Sequence, residues 1–308
     1  MTLPDGLPTA TAAPDRPGAD DGAARRPART AGDGARPRPL RTALAYAALA
    51  AVALLVLVPF GLMVSASLKR DNEVFTIPLE WIPREPRWSN FAEIWDRVPM
   101  LTYLGNSVLL SAAITVLQVL TGSFAAYGFA KVRFPGRDAL FLAYIATIAV
   151  PWQAYMVPQY IMMRRAELTD TYWSIILIQA FGAFGVFLMR QYYASIPDEL
   201  CEAARIDGLS EYGIYRRVML PLSKPALASL ALLTFVTTWN DYMGPFIYLT
   251  SNELWTVQLG LRSFVGQYES EYAMIMTGAV LSVLPILVLF LFGQRYFIRG
   301  IATSGLKG

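Results

Sequence analysis

Residues 98–130 read VPMLTYLGNSVLLSAAITVLQVLTGSFAAYGFA, thirty-three consecutive positions without an Asp, Glu, Lys or Arg. A helix needs about 20 apolar residues to cross the hydrocarbon core of a bilayer, so this stretch is long enough to cross. Outward from it, charge-free runs recur at 42–68, 139–163, 171–189 and 272–294, and a sixth, 225–252, is interrupted only by Asp241. One such run could be the buried helix of a soluble protein. Six in 308 residues specify an all-α integral membrane protein. Its six transmembrane helices are expected at about 42–68, 104–130, 139–162, 172–190, 225–249 and 272–294.

Composition points the same way. Charged residues make up 16% of the chain, against about 25% in soluble domains, and the mean hydropathy is +0.40. Histidine is absent, which removes His-based triads, proton relays and His metal sites. Cys201 is the single cysteine, so neither an intrachain disulfide nor a cysteine zinc site can form. A net charge of +3 gives no footprint for nucleic acid. Residues 1–41 are rich in Pro, Ala, Gly, Arg and Asp and contain no aromatic residue. Such a segment buries too little surface to offset chain entropy, and a disordered cytoplasmic tail is expected.

Six spans put both termini on one side. The loops on that side carry 18 Lys and Arg against 8 on the other, which predicts cytoplasmic termini. Tyr103, Tyr172, Trp173 and Tyr272 fall near predicted span ends, where aromatic anchors concentrate. Pro59, Pro151, Pro158, Pro245 and Pro285 fall inside predicted spans, and Gly182 and Gly185 supply small residues for close helix packing. The loop from Lys131 to Arg137 reads as a plain positive turn.

The longest predicted cytoplasmic segment is 190–224. Ser195 and Asp198, three apart, read as a capping-box start. Leu200, Ala203 and Ala204 would share one face of a short helix, and Gly208 suits the position after its C-cap, where positive φ is cheap only for glycine. Ser210 can cap a second helix, with Ile214 and Val218 along one side and Pro221 ending it. The segment carries five basic and five acidic residues, so a DNA-binding helix-turn-helix is a poor reading.

Glu202-Ala203-Ala204, three residues, Gly208, nine residues, then Val218-Met219-Leu220-Pro221 resembles the EAA motif of ABC importer permeases, EAA-x3-G-x9-I-x-LP, with Val218 in place of Ile. The carbohydrate branch, the maltose-transporter-type second permease, is resembled at Asn106-Ser107, at Tyr127 to Gly136, at Trp239-Asn240-Asp241-Tyr242 and at Gln294 to Gly300. The resemblance covers about 42–308. It implies the type I importer permease (MetI-like) fold. It implies that the EAA helix docks on a separate ATPase subunit, with Glu202, Ala203, Ala204, Asp207, Gly208, Leu220 and Pro221 as the coupling residues. The implied partners are a second permease, two ATPase subunits, an extracytoplasmic solute-binding protein and membrane lipid, in the cell membrane, for a sugar or oligosaccharide. Asn240 and Asp241 become candidate pathway or gate residues. Trp255, Gln258 and Gln267 become candidate contacts for the binding protein, and 299–308 a tail reaching the ATPases.

No G-x4-G-K-[ST] loop is present, so no cofactor is expected in this chain and ATP would be held by a partner. No catalytic or metal site is expected, and the chain is not read as an enzyme. An importer permease for glycerol phosphate or an amino acid is the near alternative. A stand-alone secondary transporter is the distant one, since it would carry more intramembrane ionisable groups than Asp241 alone.

Overall fold

A computed structural model describes residues 39–266 and 270–305, and side chains for 42–266 and 270–294. The expected tail, Gln267 and the last residues of the C-terminal tail lie outside the described residues. The chain divides into two compact units, and the division falls between Leu55 and Val56, inside helix α1 (Pro39–Ser67). The described part of the first unit is the opening of that helix, with apolar, exposed side chains from Leu44 to Leu55.

Helices are the regular structure of the second unit among its described residues, apart from a lone bridge between Val265 and Ser270. After α1 come α2 (Asn90–Arg97), α3 (Met100–Lys131), α4 (Arg137–Ala146), α5 (Met156–Arg165), α6 (Tyr172–Gln179) and α7 (Ala183–Ser195). Then follow α8 (Glu199–Ile206), α9 (Glu211–Ile214), a π-helical turn (Tyr215–Met219), α10 (Leu220–Leu222), α11 (Lys224–Trp239), α12 (Met243–Tyr248), α13 (Val257–Gly260) and α14 (Tyr272–Gly305).

Among the described residues, four helical stretches are long and apolar enough to cross a membrane: Thr42–Ser67, Met100–Lys131, Tyr172–Ser195 and Tyr272–Gln294. A fifth is added if Glu211–Leu222 and Lys224–Trp239, bent by 80°, count as one. The expected third span, 139–162, is not a single helix. It is α4 and α5, separated by two 3-10 turns at Thr147–Ala149 and Trp152–Ala154, with Pro151 extended between them (φ −64°, ψ 138°). Proline has no N–H to continue a helix. Pro158, by contrast, falls in the first turn of α5, where no such bond is needed. The fourth span breaks at 180–182, where Gly182 is extended (φ −86°, ψ 120°), and the fifth breaks at 240–242. Counting charge-free residues detects apolarity, not helical continuity.

α3 packs along α7 and α11, and α11 along α14. The first contact is close because it is made of glycine: a Cβ on Gly122 would lie 3.5 Å from the Gly185 carbonyl carbon. Trp239 of α11 donates its indole N–H to the Ser282 carbonyl of α14 at 3.1 Å. Near the α8 end the core is Tyr127, Met189, Tyr193, Ile214 and Met219; at the opposite end it is Ile94, Tyr103, Trp239 and Val257. Tyr103 is fully buried, which corrects its reading as an interfacial anchor. Trp173 and Tyr272 are exposed, as anchors would be.

Candidate functional site

The loop from Ile196 to Ser223 is held by the last two turns of α3. Asp198 is the N-cap residue of α8, but its carboxylate does not cap the helix. It accepts from Lys131 Nζ, and the same ammonium donates to the Ile196 carbonyl at 2.6 Å. The expected capping box at Ser195 and Asp198 is therefore not formed; Ser195 Oγ donates to the Tyr192 carbonyl instead. The Lys131 side chain is 3% exposed. It is a buried anchor rather than part of a plain turn. Its hydrogen bond and charge hold the Asp198 carboxyl below its ordinary value.

The far end of α8 closes in a Schellman motif. Leu209 N–H donates to the Ala204 carbonyl and Gly208 N–H to the Arg205 carbonyl, both at 3.0 Å. Gly208 has φ +82°, and a Cβ there would meet nothing within 4 Å. Its glycine is required by backbone conformation alone. Arg205 donates to Glu211 at 2.7 and 3.3 Å, and Glu211 also accepts from the Tyr127 hydroxyl. The Arg205 hydrogen bond, chiefly, keeps the Glu211 carboxyl below its ordinary value. Ser210 Oγ caps α9 by accepting from Gly213 N–H at 3.3 Å.

The inward face of α8 is Cys201 and Ala204, both buried, with Cys201 Sγ 3.8 Å from Met219 Sδ. This corrects the expected shared face: Ala204 turns in, while Leu200, Glu202, Ala203, Asp207 and Gly208 are exposed. Ile206 is 87% exposed and Tyr212 61%. Sequence periodicity missed both, because two apolar residues outside the periodic positions leave no pattern. Leu220 is half-buried and Pro221 exposed at the bend that leads into α11.

The other candidate residues separate. Asn240 donates to the Val236 carbonyl at 2.9 Å and accepts from Gln258 at 3.4 Å. Asp241 instead accepts from Gln179 Nε2 at 2.8 Å and from Gly244 N–H, in the first turn of α12, at 3.0 Å. Asp241 lines a cavity of about 510 Å³ with Gln118, Gln179 and Trp152. Gln118 and Gln179 were not singled out by sequence; an amide inside a long apolar run was the available signal. Trp255 is half-buried against Tyr103, and its indole N–H is buried without a partner among the described residues. The segment around it is tied to α3: Tyr103 donates to Asn252 at 2.6 Å, Asn106 to the Glu253 and Trp255 carbonyls at 2.8 and 2.9 Å, and Ser107 Oγ accepts from Val257 N–H at 2.8 Å.

Residues 118–303 match the family described as "Binding-protein-dependent transport system inner membrane component". The chain is 35% identical over 260 residues to the arabinooligosaccharides transport system permease protein AraQ of Halalkalibacterium halodurans, covering 83% of this chain and 93% of that protein. It is 33% identical to the sn-glycerol-3-phosphate transport system permease protein UgpE of Pectobacterium atrosepticum, covering 82% and 92%. Among solved structures, a chain of a bacterial ABC transporter involved in the import of the acidic polysaccharide alginate superposes with a TM-score of 0.72 at 25% identity, covering 87% of this chain and all of that one.

Proposed function

The chain belongs to the family of binding-protein-dependent transport system inner membrane components, and from that premise we propose that it is the permease subunit of an ATP-driven ABC importer for a sugar or oligosaccharide. The observation that carries this is α8. A short helix is clamped at both ends to one membrane helix, while its outer face, with Glu202, Ala203, Ile206 and Asp207, is exposed. Exposed apolar side chains on a rigidly held helix mark a surface built for a partner.

In this reading the partners are two ATPase subunits, a second permease and an extracytoplasmic binding protein. The ATPases meet Glu202, Ala203, Asp207 and Gly208 on α8. Ala204 supports that face from behind, and Leu220 and Pro221 carry its movement into α11. ATP is bound by the partners. Both termini face the cytoplasm, and the loop at 250–271, with Trp255, Gln258 and Gln267, faces the binding protein.

The test is co-purification from native membranes, with a C-terminal tag, light cross-linking and identification by mass spectrometry. An ATPase and a second permease should be recovered, and the ATPase lost in Ile206→Asp and Gly208→Val. Recovery of the chain alone, or of a complex indifferent to both substitutions, would overturn the importer reading in favour of a stand-alone transporter.

A further inference from the structure

Three helix interruptions meet at one place. The breaks between α4 and α5, between α6 and α7, and between α11 and α12 all border the 510 Å³ cavity. Irregular backbone at membrane depth is tolerated where it lines a cavity or is satisfied by neighbouring groups. Both conditions hold here. Gln118, near the middle of α3, donates to the Gln179 carbonyl at 2.7 Å, and Thr121 donates to the Ala180 carbonyl at 2.7 Å, so α3 satisfies the carbonyls freed at the second break.

The cavity's size is that of a small-molecule site, which typically runs about 300–1,000 Å³. Its wall has three kinds of chemistry. Asp241 uses two hydrogen bonds of the roughly four that a carboxylate can accept. Gln118 and Gln179 add amides, and Trp152 and Tyr155 add aromatic faces. Tyr248 also lines it; this residue is 2% exposed, and its buried hydroxyl has no hydrogen-bond partner among the described residues. Among the described residues, no Lys or Arg lines it.

We propose that this cavity is a solute subsite on this chain, and that it takes a neutral polyhydroxylated solute rather than an anionic one. Hydroxyl pairs suit a carboxylate flanked by amides, and the apolar face of a sugar ring suits Trp152 and Tyr155. An anionic group would meet a carboxylate with no cation in the wall to compensate it, in surroundings where an unpaired charge is costly. The inference rests on the importer reading. It divides this chain from what the names of its glycerol-phosphate relative and alginate-importing neighbour describe, and groups it with the arabino-oligosaccharide relative.

The experiment is saturation-transfer NMR on the solubilised permease–ATPase complex, without binding protein. The probes are arabinotriose and maltose as neutral solutes, with sn-glycerol 3-phosphate and digalacturonate as anionic ones. A neutral saccharide should receive saturation and the anions should not. Its apparent affinity should fall by about tenfold in Trp152→Ala and in Gln179→Ala, and recover in Trp152→Phe, which retains the aromatic face. Saturation of the anionic probes alone or of both classes equally, of neither class, or a neutral signal indifferent to Trp152→Ala and Gln179→Ala, would overturn the proposal. An intact complex with such a result leaves the importer reading standing, whereas a chain that never co-purifies with an ATPase removes both.

Discussion

Lys131 and Tyr127 stand one helical turn apart on α3 and reach opposite ends of the same eight-residue helix: Lys131 to Asp198 in front of α8, Tyr127 to Glu211 behind its closing turn. Neither is in the EAA motif, and both decide where it sits. The two sides of the Lys131–Asp198 pair are unequal, since the lysine side chain is 3% exposed and the aspartate 68%. Lys131→Met keeps an apolar stem in the buried slot and leaves only an exposed carboxylate and one carbonyl to solvent. It should cost about 1–2 kcal/mol. Asp198→Ala leaves a buried ammonium with a single acceptor and should cost more. Hydrogen exchange at 199–206 in the assembled complex should rank them so, and equal protection in both would remove Lys131 as an anchor.

Gly208 sits at positive φ in open space, so the penalty for replacing it comes from the backbone alone. Gly208→Asn should be tolerated, because asparagine visits this region readily. Gly208→Ala should cost about 1 kcal/mol and Gly208→Val more. Recovery of the ATPase subunit should follow glycine, asparagine, alanine, valine in falling order. A loss that followed side-chain volume would point to a packed site instead.

Gly260 is the reverse case. A Cβ there would run into the Tyr103 ring, whose hydroxyl donates to Asn252. Overpacking of this kind costs about 1–3 kcal/mol. Gly260→Ala should therefore lower the melting temperature of the purified chain, and Tyr103→Leu in the same molecule should restore part of it. Additive losses would show that the two positions do not touch.

The carboxyls of Asp198 and Glu211 are both held below their ordinary values of 3.8 and 4.5, by Lys131 and by Arg205 respectively. A depressed folded pKa contributes stability that is present above the unfolded value and is lost as pH falls through the folded one. The clamps should therefore be unaffected by pH throughout the neutral range and weaken only in strong acid. Difference infrared spectra against Asp198→Asn and Glu211→Gln would locate the two protonated-carboxyl bands. A midpoint at or above the ordinary value for either would remove that clamp.

Much of this was legible in the chain. The uninterrupted runs at 42–68, 98–130 and 272–294 became continuous helices because nothing inside them forces a break; even Pro59 and Pro285 are accommodated within α1 and α14. The EAA spacing marked α8, and Ser210 marked the start of α9. The run 139–163 misled because Pro151 breaks a helix without adding charge. Lys131 was invisible as an anchor, since its acceptors lie 65 and 67 residues away and no local pattern announces them. Gln118 and Gln179 acquire meaning only when three distant breaks are brought together around them.

α3 contains 32 residues and no proline, a length of about 48 Å at 1.5 Å per residue. At one end it holds the segment 252–257, and at the other the two ends of α8. A beam without a joint does not absorb displacement; it tilts, and a push received at one end arrives at the other as an opposite swing. The joints lie instead in the three interrupted spans bordering the cavity. On the importer reading proposed above, a displacement of α8 should therefore reshape that chamber rather than bend α3.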